Sequence, residues 1–217
     1  DVVYNPARTA LMLQAEALSV PHASGLSMLV AQAKKACEYF TDTKIPDTEI
    51  DRIERLLSHQ MQNIVLIGMP GCGKSSIGQA LADSLHRPFI DADAEIVRRA
   101  GCSIPEIFAK DGEPGFRKFE SAVLADLGKA SGIILATGGG CITRPENYPS
   151  LHQNGRIVWL TRPLELLPTD GRPMSQANPL AALWETRKAL YEQFSDVTVR
   201  NDTTINACVQ QIEEALL

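Results

Sequence analysis

The sequence predicts an α/β fold, a parallel sheet flanked by helices over residues 63–217, with a helical appendage in front of it. Two observations carry this. Short aliphatic runs alternate with helical patterns from Asn63 onward, and the first run feeds directly into a glycine-rich loop that opens a helix. Strands joined by helix-length connections specify parallel pairing, because a parallel crossover cannot be made by a tight turn.

Before Asn63 the pattern is different. Leu11, Leu13, Ala15 and Leu18 mark one helical stretch, and Met28, Leu29, Ala33, Ala36 and Phe40 a second, with Pro21 and Gly25 between them. Two such helices cannot bury their apolar stripes on each other alone, so this region needs a larger body to pack against. The charged stretch 41–62 offers a short helix through Ile50, Ile53, Leu56 and Leu57 and reads as a connector. Asp1 is no initiator and the text opens mid-pattern, which predicts a segment cut from something longer.

From Asn63 the expected strands are 64–67, 88–90, 133–135, 157–160 and 197–199. The expected helices are 74–85, 114–129, 145–153, 180–194 and 205–217. A domain of this size buries roughly 70% of its unfolded surface unaided. The whole chain carries 21 basic and 26 acidic residues for a net charge of −5. That balance excludes duplex nucleic acid and anionic membrane as main partners, since each needs a dominant basic surface. No apolar run reaches the ~18–20 residues of a membrane span. Five cysteines, Cys37, Cys72, Cys102, Cys141 and Cys208, are odd in number and widely spaced. They predict free thiols in a reducing, cytoplasmic setting rather than a disulfide framework or a zinc site.

The chemistry begins at Gly68-Met69-Pro70-Gly71-Cys72-Gly73-Lys74-Ser75, an intact G-x-x-x-x-G-K-[ST]. Its glycines let backbone N–H groups turn toward phosphate oxygens, and the helix starting at Lys74 adds its positive end. Gly71, Cys72, Gly73, Lys74, Ser75 and Ser76 are therefore the candidate ATP-binding residues. Lys74 supplies an ammonium for the β- and γ-phosphates, and Ser75 a hard oxygen for Mg²⁺. The loop is shared by motor ATPases, GTPases and small kinases, but the domain is too short for the first and lacks an N-K-x-D guanine signature. A small-metabolite kinase leads.

The acceptor side follows in four pieces. Asp91 and Asp93, two apart on an expected extended segment, project to one side, so that one serves a metal at Ser75 and the other a substrate hydroxyl. The plainer reading makes Asp91 the N-cap of a helix over 92–100. Arg117 opens a long helix with Glu120 one turn on, either a solvated pair or a fork that grips a carboxylate. Gly138, Gly139 and Gly140 end a buried strand, where open parallel sheets bind ligands. A Pro/Gly/Asn-rich stretch over 167–179 reads as a lid whose Arg172 reaches the transferring group. Arg187, on the next helix, is either a second fork or solvated. Trp159 is expected in the core and Trp184 in the core or against the lid. The four histidines, His22, His59, His86 and His152, are expected at the surface or in caps.

GMPGCGKSS (68–76), FIDADAEI (89–96), GEPGFRKFE (112–120), ATGGG (136–140), DGRPM (170–174) and the 187–191 segment together resemble shikimate kinase, in order and spacing, over essentially all of 63–217. The resemblance implies a P-loop nucleoside-monophosphate-kinase-like three-layer fold and ATP-dependent, Mg²⁺-assisted phosphorylation of shikimate. It implies that Asp93 orients and deprotonates the acceptor hydroxyl, and that Arg117 and Arg187 hold the shikimate carboxylate. Gly138, Gly139 and Gly140 line the substrate, Ser75 and Asp91 serve Mg²⁺, and Arg172 is the lid arginine. Ser76 stands where the family usually has threonine, and two arginines that the family places by the adenine are not evident. Gluconate- and nucleoside-monophosphate-type kinases share the loop but do not call for this D-x-D, GFR-x-x-E and GGG trio.

Residues 1–40 are similar to the carboxyl end of shikimate dehydrogenase, with Tyr4-Asn5-Pro6, Thr9, Gly25, Met28 and Gln32 at matching places. The catalytic lysine/aspartate half and the dinucleotide fingerprint of that family are absent. This implies a dehydrogenase-like fragment at 1–45, a linker helix at 46–62 and a kinase domain at 63–217, the parent chain being a dehydrogenase–kinase fusion.

Overall fold

The computed structural model describes residues 1–167 and 180–216. A five-stranded, all-parallel sheet runs in the order β2-β3-β1-β4-β5, with β1 at Asn63–Ile67, β2 at Phe89–Asp91, β3 at Ile134–Ala136, β4 at Gly155–Thr161 and β5 at Val197–Arg200. The strand boundaries depart from the expected ones by two residues at most. All five residues of β1 are buried, as a central strand covered on both faces requires.

The crossovers explain the layers. β1 leads through α4 (Lys74–Leu85) toward β2 at one edge, whereas the later connections all travel toward β5 at the other. Right-handed crossovers then place α4 on one face of the sheet. They place α5 (Ala92–Ala100), α6 (Ile104–Leu127), α7 (Asn147–His152) and α8 (Leu180–Phe194) on the opposite face. The C-terminal α9 (Ile205–Leu216) returns to pack on α4, while α6 packs on α5 and α7.

Helix α6 corrects the expected 114–129. It starts ten residues earlier, behind a capping box in which Ser103 Oγ accepts from Glu106 N and the Glu106 carboxylate accepts from Ser103 N. At Gly112 the backbone takes φ 67°, ψ −177°, and the helix resumes in a new direction with Pro114 in its first turn. The kink turns the second half of α6 so that Phe116, Arg117 and Glu120 are buried.

The N-terminal region folds as three helices, α1 (Ala10–Ala17), α2 (Leu26–Thr41) and α3 (Thr48–Met61), with α2 packed on α3. It is anchored on the α/β domain at the start of β4 by polar contacts, and the burial its apolar pattern demands is largely not met, since Leu11, Leu18, Met28 and Leu29 are exposed. Ala7 N donates to Asn154 Oδ1 at 2.7 Å, Arg8 N to Gln153 O at 2.8 Å, and Arg8 Nη1 to His152 O at 2.8 Å. Met12, Leu26 and Val30 are buried, while Tyr39 and Phe40 stay exposed. His152 is a correction: far from the surface, it is enclosed between Glu16 (3.4 Å) and Asp196 (3.6 Å). Trp159 is in the core, stacked on Tyr191 and tilted against Trp184.

Candidate active site

Each strand of a parallel sheet ends on the same side, so residues far apart in sequence meet there. After β1 comes the glycine-rich loop, after β2 Asp91 and Asp93, after β3 the three glycines, after β4 Arg162, and after β5 Asn201. A cavity of about 580 Å³ opens over these ends. Gly71, Gly73, Lys74, Ser75 and Ser76 line it, as do Asp91, Asp93, Arg117, Glu120, Gly138, Gly139, Arg162 and Arg187. Ile104, Pro105, Phe108 and Phe116 form its apolar wall.

The loop is built around Gly73, whose φ of 99° caps α4 in a conformation closed to side chains. A Cβ there would also stand 2.6 Å from Asn201 Nδ2, the group that donates to Cys72 O and ties the loop to the end of β5. Lys74 is buried, and its Nζ donates to Gly68 O at 2.9 Å and Met69 O at 3.0 Å. The free N–H groups of the first turn of α4 point out of the helix end toward the cavity. Cys72 differs from its neighbours. Its side chain lies fully buried beneath the loop and its N–H is bonded to Met69 O, so it does not line the cavity.

Asp91 and Asp93 require a correction as well. The segment is not extended through both, since the chain turns into α5 at Ala92. Asp91 is the N-cap, its Oδ1 accepting from Asp93 N (3.0 Å) and Ala94 N (3.2 Å), while its Oδ2 accepts from Ser75 Oγ at 2.6 Å. Capping and the link to Ser75 use different oxygens of one carboxylate, so the N-cap reading holds without removing Asp91 from the side of Ser75. Asp93 stands in the first turn of α5, and both carboxylates reach the cavity.

Arg117 is 7% exposed and Glu120 1%, so their pair is no solvated surface bridge. Arg117 Nη1 donates to Glu120 Oε2 at 2.7 Å, and its Nε and Nη2 reach Glu113 Oε1 at 3.3 and 3.2 Å. The guanidinium also lies over the Phe116 ring, 5.2 Å from its centroid. Burial pulls the Arg117 pKa down, but Glu120 and Glu113 outweigh it and hold it above the ordinary value. For Glu120 burial dominates and raises the carboxyl, with Asp93 adding to the rise and Arg117 opposing it. Glu120 Oε1 is buried with no hydrogen-bond partner.

The three glycines do different work. A Cβ on Gly138 would meet Glu120 Oε1 at 2.7 Å and Asp93 Oδ1 at 2.9 Å; one on Gly139 would meet Pro70 of the loop. Gly140 is not in the lining. A Cβ there would stand 2.2 Å from Arg117 Nη2, so its bareness makes room for the guanidinium. Arg187 is 5% exposed, and both its Nη1 (3.1 Å) and Tyr191 Oη donate to Gly139 O, which settles it as a cavity residue and not a solvated one. Arg172 and residues 168–179 of the expected lid lie outside the described residues.

Sequence reasoning missed Arg162 and the apolar wall from the first half of α6. The Ser103–Glu106 capping box was the available signal for the wall; Arg162 had none beyond its place after a strand.

Among the described residues no three acidic, histidine or cysteine side chains gather as a metal cluster. The Ser75 hydroxyl and Asp91 carboxylate, 2.6 Å apart at the cavity edge, nonetheless fit Mg²⁺, which takes one or two protein oxygens and completes its shell with phosphates and water.

A family model described as Shikimate kinase matches residues 70–217. The shikimate kinase of Pseudomonas putida is 44% identical over 151 residues, covering 65% of this chain and 88% of that protein. That of Thioalkalivibrio sulfidiphilus is 44% identical over 163 residues, 70% of this chain and 86% of its own length. Among solved structures, shikimate kinase from Acinetobacter baumannii in complex with shikimate superposes with a TM-score of 0.67 at 35% identity, over 73% of this chain and 94% of that one. The Aquifex aeolicus shikimate kinase gives 0.62 at 35% identity, over 71% and 96%. This chain belongs to the shikimate kinase family, phosphotransferases that phosphorylate shikimate from ATP.

Proposed function

We propose that this chain transfers the γ-phosphoryl group of ATP to the 3-hydroxyl of shikimate, giving shikimate 3-phosphate and ADP. The convergence of Lys74, Asp93, Arg117, Gly139 and Arg187 on one cavity carries the reading. Phosphoryl transfer asks little covalent work of a protein and much alignment and charge neutralisation. The loop amides of Gly71 and of Gly73 to Ser76, with the Lys74 ammonium, take the phosphate tail. Arg117, held by Glu113 and Glu120, and Arg187, held on Gly139 O, present two forks for the acceptor carboxylate. Asp93 receives the proton of the acceptor hydroxyl. Gly138 leaves the space for that hydroxyl, and Gly140 acts through the room it gives Arg117. Ser75 and Asp91 would hold Mg²⁺, which supplies neutralisation of β- and γ-phosphate charge. Arg172, outside the described residues, is expected to add a further positive charge to the set. ADP release with shikimate, quinate, gluconate and nucleoside monophosphates as candidate acceptors tests the reading; turnover of shikimate alone is expected, and equal turnover of gluconate overturns it.

The five free cysteines, three of them buried, support a reducing cytoplasmic setting. Residues 1–45 we infer to be the closing segment of a dehydrogenase-like domain fused to the kinase. Their motifs support this, and so does their docking on the kinase domain through Ala7 and Arg8. The segment lacks the catalytic half, so reduction of dehydroshikimate by NADPH is expected to be nil; measurable reduction would reassign it.

A further inference from the structure

Among the described residues four basic side chains line the cavity, and three of them are held by hydrogen bonds to the protein. Lys74 is bonded to Gly68 O and Met69 O, Arg117 to Glu113 and Glu120, and Arg187 to Gly139 O. Arg162 has no such bond, and its Nε is buried without a partner. A buried, unsatisfied guanidinium N–H in a native site calls for an explanation, and a missing anion is the simplest one.

Its place in the fold says which anion. Arg162 follows Thr161, the last residue of β4, and β4 pairs with β1 up to Ile67, the residue before the glycine-rich loop. The two segments touch at this point: a Cβ on Gly68 would lie 2.4 Å from Leu160 O. Arg162 therefore flanks the loop on the β4 side. Asp93 and Gly138, which follow β2 and β3, flank it on the other. The acceptor carboxylate already has two forks in Arg117 and Arg187. In the proposed transfer the anion left over is the phosphate tail held by the loop, whose terminal phosphoryl group lies in the cavity that Arg162 and the loop both line.

We propose that Arg162 is a catalytic residue that binds the γ-phosphoryl group of the nucleotide from the sheet side. The inference rests on the proposed ATP-to-shikimate transfer. Arg162 directly follows the last residue of β4, so its backbone is fixed by the sheet. Its charge would offset the charge spread over the equatorial oxygens in the transition state.

The test uses the whole chain with Arg162→Gln and Arg162→Lys, melting temperatures first confirming that both fold. Calorimetry then compares ADP, the β,γ-imido analogue of ATP, and shikimate. For Arg162→Gln the expected result is ADP and shikimate binding within about twofold of the parent and imido-ATP binding weaker by about tenfold or more. The kcat should fall by about 10²–10³-fold, as for loss of a fixed donor to developing charge, and Arg162→Lys should recover part of it. An equal loss for ADP makes Arg162 a support of the loop; a loss confined to shikimate makes it a third carboxylate fork; no loss leaves it without a ligand. Each overturns the proposal. The ADP-against-imido-ATP contrast needs no acceptor, so failure of the functional reading is seen separately, as absent ADP release from the parent chain with shikimate.

Discussion

Arg117 and Glu120 form a buried pair one helical turn apart, 2.7 Å between Nη1 and Oε2, in which the glutamate keeps its second oxygen unpaired beside Gly138. The pair therefore links the Arg117 guanidinium to the place where Asp93 also arrives. At this spacing on an exposed helix such a pair contributes almost nothing. The kink at Gly112 and the apolar wall remove it from water, and its geometry then sets that of the site.

Glu120→Gln should leave Arg117 charged and buried with Glu113 as its one remaining charged partner. Loss of one partner in a buried pair costs about 3–5 kcal/mol, so thermal stability should fall. The KM for shikimate should rise at least tenfold with the KM for ATP nearly unchanged. Steady-state kinetics with each substrate varied in turn checks the split.

Gly140→Ala and Gly139→Ala should separate. The added methyl at 140 meets the flexible tip of Arg117, which can swing away, so the fold survives and shikimate binding weakens on the order of 10–100-fold. At 139 it meets the Pro70 ring and backbone nitrogen at 2.8–3.0 Å, a rigid part of the loop. Both substrates' KM values should then rise. Initial-rate kinetics on the two variants distinguishes the patterns.

Asp93→Asn keeps shape and removes the proton acceptor. Turnover should drop by about 10³-fold, within the range for a positioned general base, while ADP binding by calorimetry stays within twofold. Normal turnover would remove Asp93 from the acceptor role.

Asp196 sets an acid limit on stability. Burial alone would raise its pKa, but the His152 ring and the Ile157 N–H, which donates to Oδ2 at 2.7 Å, outweigh this and hold it below the ordinary value of 3.8. A carboxyl lowered on folding stabilises the native state above its unfolded pKa and loses that contribution as pH falls through its folded one. The stability advantage over Asp196→Asn should be full near pH 5–7 and shrink below about pH 4. Urea unfolding at a series of pH values measures it.

Asn154→Ala should loosen the N-terminal region from the kinase domain. Asn154 is buried, accepts from Ala7 N and donates toward the carbonyls of Gly128, Lys129 and Ala130. Removing it takes this partner from Ala7 N and from the Gly128 and Lys129 carbonyls at about 1–3 kcal/mol, while Ala130 O keeps Asn63 Nδ2. Hydrogen exchange at Ala7 and Arg8 should accelerate, with ADP binding unchanged.

The strands, the helices 74–85 and 180–194, and the glycine-rich loop were legible in the sequence because each is fixed by local chemistry. Aliphatic runs must be buried, helix-length crossovers must be parallel, and a G-x-x-x-x-G-K-S after a strand has few alternatives. The motifs also named Asp93, Arg117, Gly139 and Arg187. Tertiary structure alone decided how they meet. That Glu120 and Asp93 share the space at Gly138, that Gly140 serves Arg117, that Asp91 caps with one oxygen and meets Ser75 with the other, and that Arg162 lines the same cavity as the loop are relations between strand ends distant in sequence. Spacing along a sequence carries the period of a helix or strand but not the order of strands in a sheet, and it is the order β2-β3-β1-β4-β5 that brings those ends together.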